Sequence, residues 1–263
     1  MEINLTVPGS WNELSQEQLA FLLATITNMQ GANESRRFRS LEDYSAQTRA
    51  EIAVCCLCRW TGLEVVSPYG EGFIMRYDGV EFVLSPEEMA AAVAPLDWIR
   101  EIPATPVRLD AIGKAQAAEA DLSDLSFEDF IACDNLWQGY HATGDDDLLR
   151  QMAEVLYRCD GIAPEPYEIL GVFYWWVAAK TRLASMYPHF FRPAEATDGS
   201  AAPDYDSLRR NADTQIRALT KGDVSKEAQV LAAGCWRALA ELDAQAREYE
   251  ELNRKYNHDK LHD

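Results

Sequence analysis

Between Pro166 and Pro188 the chain leaves almost no polar face. Ile169, Leu170, Val172, Phe173, Trp175, Trp176 and Val177 point in every direction around a helix running from about Pro166 to Tyr187. Such a helix cannot lie on a surface; other elements must surround it. Its most apolar run, 169–179, is too short to span a bilayer. The segment therefore predicts the buried centre of a helical domain. With 48% hydrophobic and 25% charged residues, the chain has the composition of a globular protein with a sizeable core.

The elements around that centre follow from local signals. Ser15 and Gln18 have capping-box spacing, and Leu19, Leu22, Leu23 and Ile26 then recur on one face. A second helix is predicted from Ser45 to Trp60 and stopped by Gly62, with Ile52, Leu57 and the cysteines turned inward. Asp78-Gly79 between two β-rich runs, 73–77 and 80–84, predicts a two-residue hairpin. Ser85-Pro86-Glu87-Glu88 opens a short helix, which Pro95 ends or kinks. Residues 106–125 read as a connection. Ser126 caps the next helix and Gly144 closes it. Asp145, Asp146 and Asp147 suit the positive end of the helix that follows.

The tail of the chain offers two candidate partner-binding features. Pro188 to Pro193 should form an extended arm carrying His189, Phe190 and Phe191, whose two Phe either pack over the bundle or present an apolar patch to a partner. The last helix should run unbroken from Ser225 to about Tyr256. Along it Ala228, Leu231, Cys235, Ala238, Leu242, Gln245, Tyr249, Leu252 and Tyr256 alternate three and four apart, a heptad stripe with one polar break. The fold class is α+β, predominantly helical. A small N-terminal helix and hairpin unit (1–105) precedes a connection (106–125) and a helical bundle (126–263) with a long last helix.

Charge and cysteine usage narrow the function. A net charge of −19 repels phosphate backbones and anionic lipid, so neither nucleic acid nor membrane is an expected partner. The Arg36, Arg37 and Arg39 cluster reads as a solvated loop. The six cysteines have no disulfide-framework spacing, and the N-terminus has no signal-peptide pattern, so the expectation is a reducing, cytoplasmic setting.

The other reactive groups have plain structural readings. Cys55, Cys56 and Cys58 lack the second ligand cluster zinc needs. His258 and His262, beside Asp259 and Asp263, sit where helices fray. Asp145 to Asp147 lack calcium-loop spacing. No cofactor, metal or catalytic residue is expected. Asp134, Tyr140 and His141 are the residues an enzyme or small-ligand site between the two units would use.

Two stretches carry a resemblance. Trp11-Asn12-Glu13-Leu14-Ser15-Gln16-Glu17-Gln18-Leu19 resembles the opening of an uncharacterised group of bacterial prophage or mobile-element proteins. The run 218–227 (ALTKGDVSKE), continuing to Trp236-Arg237-Ala238-Leu239-Ala240-Glu241-Leu242, is similar to the end of the same group. The resemblance implies a genetic setting among phage structural genes, tail genes included, and no chemistry. The resulting expectation is a non-enzymatic assembly factor or chaperone-like adaptor. It would bind a protein partner, or a second copy of itself, through apolar helical faces, with His189, Phe190, Phe191, Leu242, Tyr249, Leu252 and Tyr256 as the contact residues. The rival readings are the enzyme or ligand-binding protein and a structural virion component.

Overall fold

The computed structural model describes residues 5–29, 44–192 and 205–260. Helix α1 (Gln16–Met29) starts as its cap requires. The Gln18 N–H donates to Ser15 Oγ at 3.2 Å, and the Ser15 N–H to Gln18 Oε1 at 2.9 Å. Helix α2 (Ala46–Thr61) is capped by Ser45 and ended by Gly62 at φ 78°. Ile52, Cys56 and Leu57 face the core, while Cys55 and Cys58 are half-buried.

The hairpin is part of a three-stranded antiparallel sheet: β1 (Glu64–Tyr69), β2 (Gly72–Tyr77) and β3 (Val80–Leu84). Asp78 and Gly79 have φ of 49° and 78°, the double positive φ of the expected turn. Gly72 is required by packing, because a Cβ there would meet the Leu84 carbonyl oxygen at 2.2 Å. Strand β1 is additional to the expected hairpin, and it contains Pro68, a residue that strands disfavour. Ser85 and Glu88 complete a capping box at the start of α3 (Pro86–Val93). The α-helix ends at Val93, as Pro95 predicts, and the chain continues as a 3-10 turn, Ala94–Arg100.

The stretch 106–125 is irregular yet deeply packed. Strands β4 (Ala111–Ile112) and β5 (Ala115–Gln116) make a miniature hairpin, and Leu109, Ile112, Ala118, Leu122 and Leu125 are buried. Buried coil must satisfy its backbone polar groups, and here side chains add to the backbone bonds. Gln16 does so from α1, donating to Arg108 O and accepting from the Asp110 N–H. Tyr157 Oη donates to Leu109 O at 2.9 Å. The indole N–H groups of Trp175 and Trp236 donate to the successive carbonyls of Ala120 and Asp121.

Helices α4 (Phe127–Thr143), α5 (Asp146–Leu156) and α6 (Pro166–Met186) follow. As its sequence demands, α6 is central: Ile169 through Trp176 are all buried, and Trp175 and Trp176 have no exposed surface. Each large side chain so buried contributes roughly 1.5–3 kcal/mol of transfer free energy. Helix α1 packs along α6, and Trp11 meets Tyr174 with ring centroids 5.3 Å apart. The buried side chains form one contiguous cluster from Trp11 to Leu242. Helix α7 (Tyr205–Thr220) ends in a turn with Lys221 and Gly222 at positive φ. The architecture is a predominantly helical α+β fold with a small antiparallel sheet.

Candidate functional site

The expected unbroken last helix is broken. A 3-10 turn (Val224–Lys226) leads into the short helix α8 (Glu227–Leu231), and the long helix α9 begins only at Cys235 and runs to Lys260. The cause is tertiary. The Phe127 N–H donates to Ala233 O at 2.8 Å, the Cys235 N–H donates to Leu125 O at 2.9 Å, and Ser126 bridges Gly234. These strand-like bonds take the Ala233 carbonyl and the Cys235 N–H out of helical pairing. Ala228 and Leu231 therefore do not share a continuous stripe with Leu242.

The first turns of α9 belong to the core. Cys235, Ala238, Leu239 and Leu242 are buried. Burial pushes the Cys235 thiol up to about 12, so it stays protonated near neutrality. Past Leu242 the helix emerges. Tyr249 is 67% exposed and Leu252 is 65% exposed, and Arg247, Glu248, Glu251, Arg254 and Lys255 are exposed around them. The stripe thus continues in sequence while its covering ends. The Tyr256 side chain lies outside the described residues.

The arm is likewise not extended. Tyr187–Arg192 folds into a turn, with the Phe191 N–H donating to Tyr187 O at 3.1 Å. Asp243 on α9 holds it: one carboxylate oxygen accepts the His189 N–H at 2.7 Å and the Phe190 N–H at 3.0 Å. One heptad later, Glu250 lies 3.2 Å from His189 Nδ1 and 2.9 Å from Arg192 Nη1. Burial raises the Glu250 carboxyl, but the His189 hydrogen bond and the Arg192 charge outweigh it and hold the group below its ordinary value. Phe190 and Phe191 meet edge to face at 4.8 Å and pack, half-buried, against the core. Lys180 lies 5.5 Å from the Phe191 ring centre.

The expected contact residues with described side chains therefore separate. Leu242 is core. His189, Phe190 and Phe191 brace the base of the protruding helix. Tyr249 and Leu252 stand free on it.

The remaining candidates are committed to structure. Asp134 pairs with Lys180 and accepts from Gln138, Tyr140 is buried, and His141 sits edge-on to Trp137 at 4.4 Å. Asp145 caps α5 by accepting the Asp147 N–H. Burial pushes the Cys56 thiol up to about 12, the value of an inert core thiol. Among the described residues no group of three or more His, Cys, Asp or Glu could hold a metal ion, and no helix is long and apolar enough to cross a membrane. Arg36, Arg37, Arg39, His262 and the His258 side chain lie outside the described residues.

One surface had no counterpart in the sequence reading. The small sheet exposes Val65, Val66, Tyr69, Val80 and Val83. On its outer side Ser67, Ile74 and Val83 stand opposite one another across the three strands. Beside them Arg76 is ion-paired to Glu64 on β1 and Glu81 on β3. The available signal was the Val65-Val66 pair. No protein-family model, curated protein or solved structure matches this chain.

Proposed function

We propose that this chain is a non-enzymatic adaptor or assembly factor that binds a protein partner through the free half of α9. The observation that carries the reading is the helix leaving the core with its apolar stripe uncovered: Leu242 is 6% exposed, whereas Tyr249 and Leu252 are about two-thirds exposed. A free-standing helical segment of this length is marginal in water, and packing on its apolar face is what stabilises such segments. Its base is held by Asp243 and Glu250 through the 187–192 turn, which limits the ordering cost a partner would meet. The setting among phage tail genes is part of the proposal and rests on the resemblance alone.

The test is co-purification with light scattering, comparing the wild-type chain with a Tyr249→Asp/Leu252→Asp variant. The expected result is a second protein retained by the wild type and lost by the variant. A strict monomer that retains no protein overturns the reading. The neighbouring genes give an independent check, with a tail-tube or tape-measure gene expected next door.

A further inference from the structure

We propose that the occupant of the free α9 stripe is a second copy of this chain, paired antiparallel around a two-fold axis between Tyr249 and Leu252. This rests on the reading that the distal half of α9 is a docking element, and it names the partner of that same site.

Charge selects the occupant. The whole chain carries −19, so most of its surface repels another copy. The distal helix is an exception: residues 246–255 hold Arg247, Arg254 and Lys255 against Glu248, Glu250 and Glu251, a local net charge of zero. The exposed sheet shows the contrast. Residues 64–88 hold six carboxylates and only Arg76, which is already shared by Glu64 and Glu81. A basic partner would suit the sheet. A neutral stripe on an acidic chain suits a surface that is also neutral there, which a second copy supplies.

Geometry selects the orientation. In the heptad that begins at Cys235, Leu242 and Tyr249 hold one apolar position, and Leu252 holds the other. Asp243 and Glu250 occupy the flank already covered by the 187–192 turn. On the opposite flank Glu248 and Lys255 are both exposed and sit one heptad apart. In an antiparallel pair Tyr249 stacks in register with Leu252 of the second copy. Glu248 then comes within reach of Lys255 of the second copy, and the symmetry repeats each contact. A parallel pair would set Glu248 against Asn253 and gain no ion pair. Since the exposed side chains among the described residues span only 247–255, the interface is small and the dimer weak.

Sedimentation equilibrium on the purified full chain tests this, with Glu248→Lys, Lys255→Glu and the double exchange as variants. All three change exposed positions, and unchanged thermal melts establish that the variants fold. The expected result is a concentration-dependent dimer that each single exchange weakens at least tenfold and the double exchange restores. A wild-type chain that remains monomeric to sub-millimolar concentration overturns the proposal, as does a dimer indifferent to both single exchanges. The two readings fail separately: a monomer that still captures a partner through Tyr249 and Leu252 overturns self-pairing alone. A dimer that captures nothing else overturns the adaptor reading alone.

Discussion

The two halves of α9 share one sequence pattern and meet opposite fates. Cys235, Ala238, Leu239 and Leu242 lie against α4 and the 121–125 loop and are buried. Tyr249 and Leu252 extend the same three-four spacing into solvent. Periodicity therefore states which face of a helix is apolar and says nothing of what covers it. The covering here comes from distant segments: the Leu125 carbonyl, the Asp121 carbonyl beneath Trp236, and the turn held by Asp243.

The largest effect that can break this comparison is a cavity. Leu239→Ala, at a position with no exposed surface, should cost about 2–5 kcal/mol in urea or thermal melts. Leu252→Ala should stay within about 0.5 kcal/mol when measured on dilute, monomeric protein. Equal losses at the two sites would mean that the distal half is covered within the monomer, and the contrast would fall.

The same contrast separates what the sequence made legible from what it hid. Local chemistry was readable: the Ser15, Ser45, Ser85 and Ser126 caps, the Gly62 and Gly144 stops, and the Asp78-Gly79 turn all act within four residues. The all-round apolar α6 was readable because no surface position tolerates it. The break at 232–234 was not, because Ala-Ala-Gly is no strong stop and the diverting bonds come from residues 125–127. The 187–192 turn was not, because its acceptor lies on α9. The packed 106–125 stretch has no period to detect, since its buried residues follow loop geometry. Of the candidate site, Tyr249 and Leu252 were legible as a stripe; their exposure was not, and the acidic sheet surface went unread with β1.

The next largest effect concerns the buried end of α9 in alkali. Burial raises the Cys235 and Cys56 thiols from 9.0 to about 12. The folded state thus holds protons that the unfolded chain releases. Their contribution is fully present below pH 9 and is lost as pH rises through 12, on the order of a few kcal/mol. Cys235→Ala should flatten the fall in melting temperature above pH 9. A wild-type alkaline limb that Cys235→Ala does not alter would show that this thiol is not sealed by the first turns of α9.

A smaller effect tests the boundary between the halves. Asp243→Ala strips the acceptor from two backbone N–H groups and should cost about 1–3 kcal/mol. Hydrogen exchange should quicken at His189 and Phe190 more than in α6. Asp243→Asn keeps an oxygen in place and should recover part of the loss, which separates hydrogen bonding from charge.

The smallest effect lies one heptad on, at Glu250, where the helix is already emerging. Its carboxyl is held below the ordinary 4.5 by His189 and Arg192 against the opposing effect of burial. A depressed carboxyl stabilises the fold above its unfolded value, and that contribution is lost as pH falls through the folded one. Glu250→Gln should therefore melt slightly below the wild type at neutral pH, and the two should converge once pH drops below 4.5. The difference should also shrink in high salt, because Arg192 is an exposed partner. If Glu250→Gln instead melts with the wild type at neutral pH, the turn is fixed by packing of Phe190 and Phe191. The emergence of α9 would then be set by that apolar contact, with the ion pairs only following it.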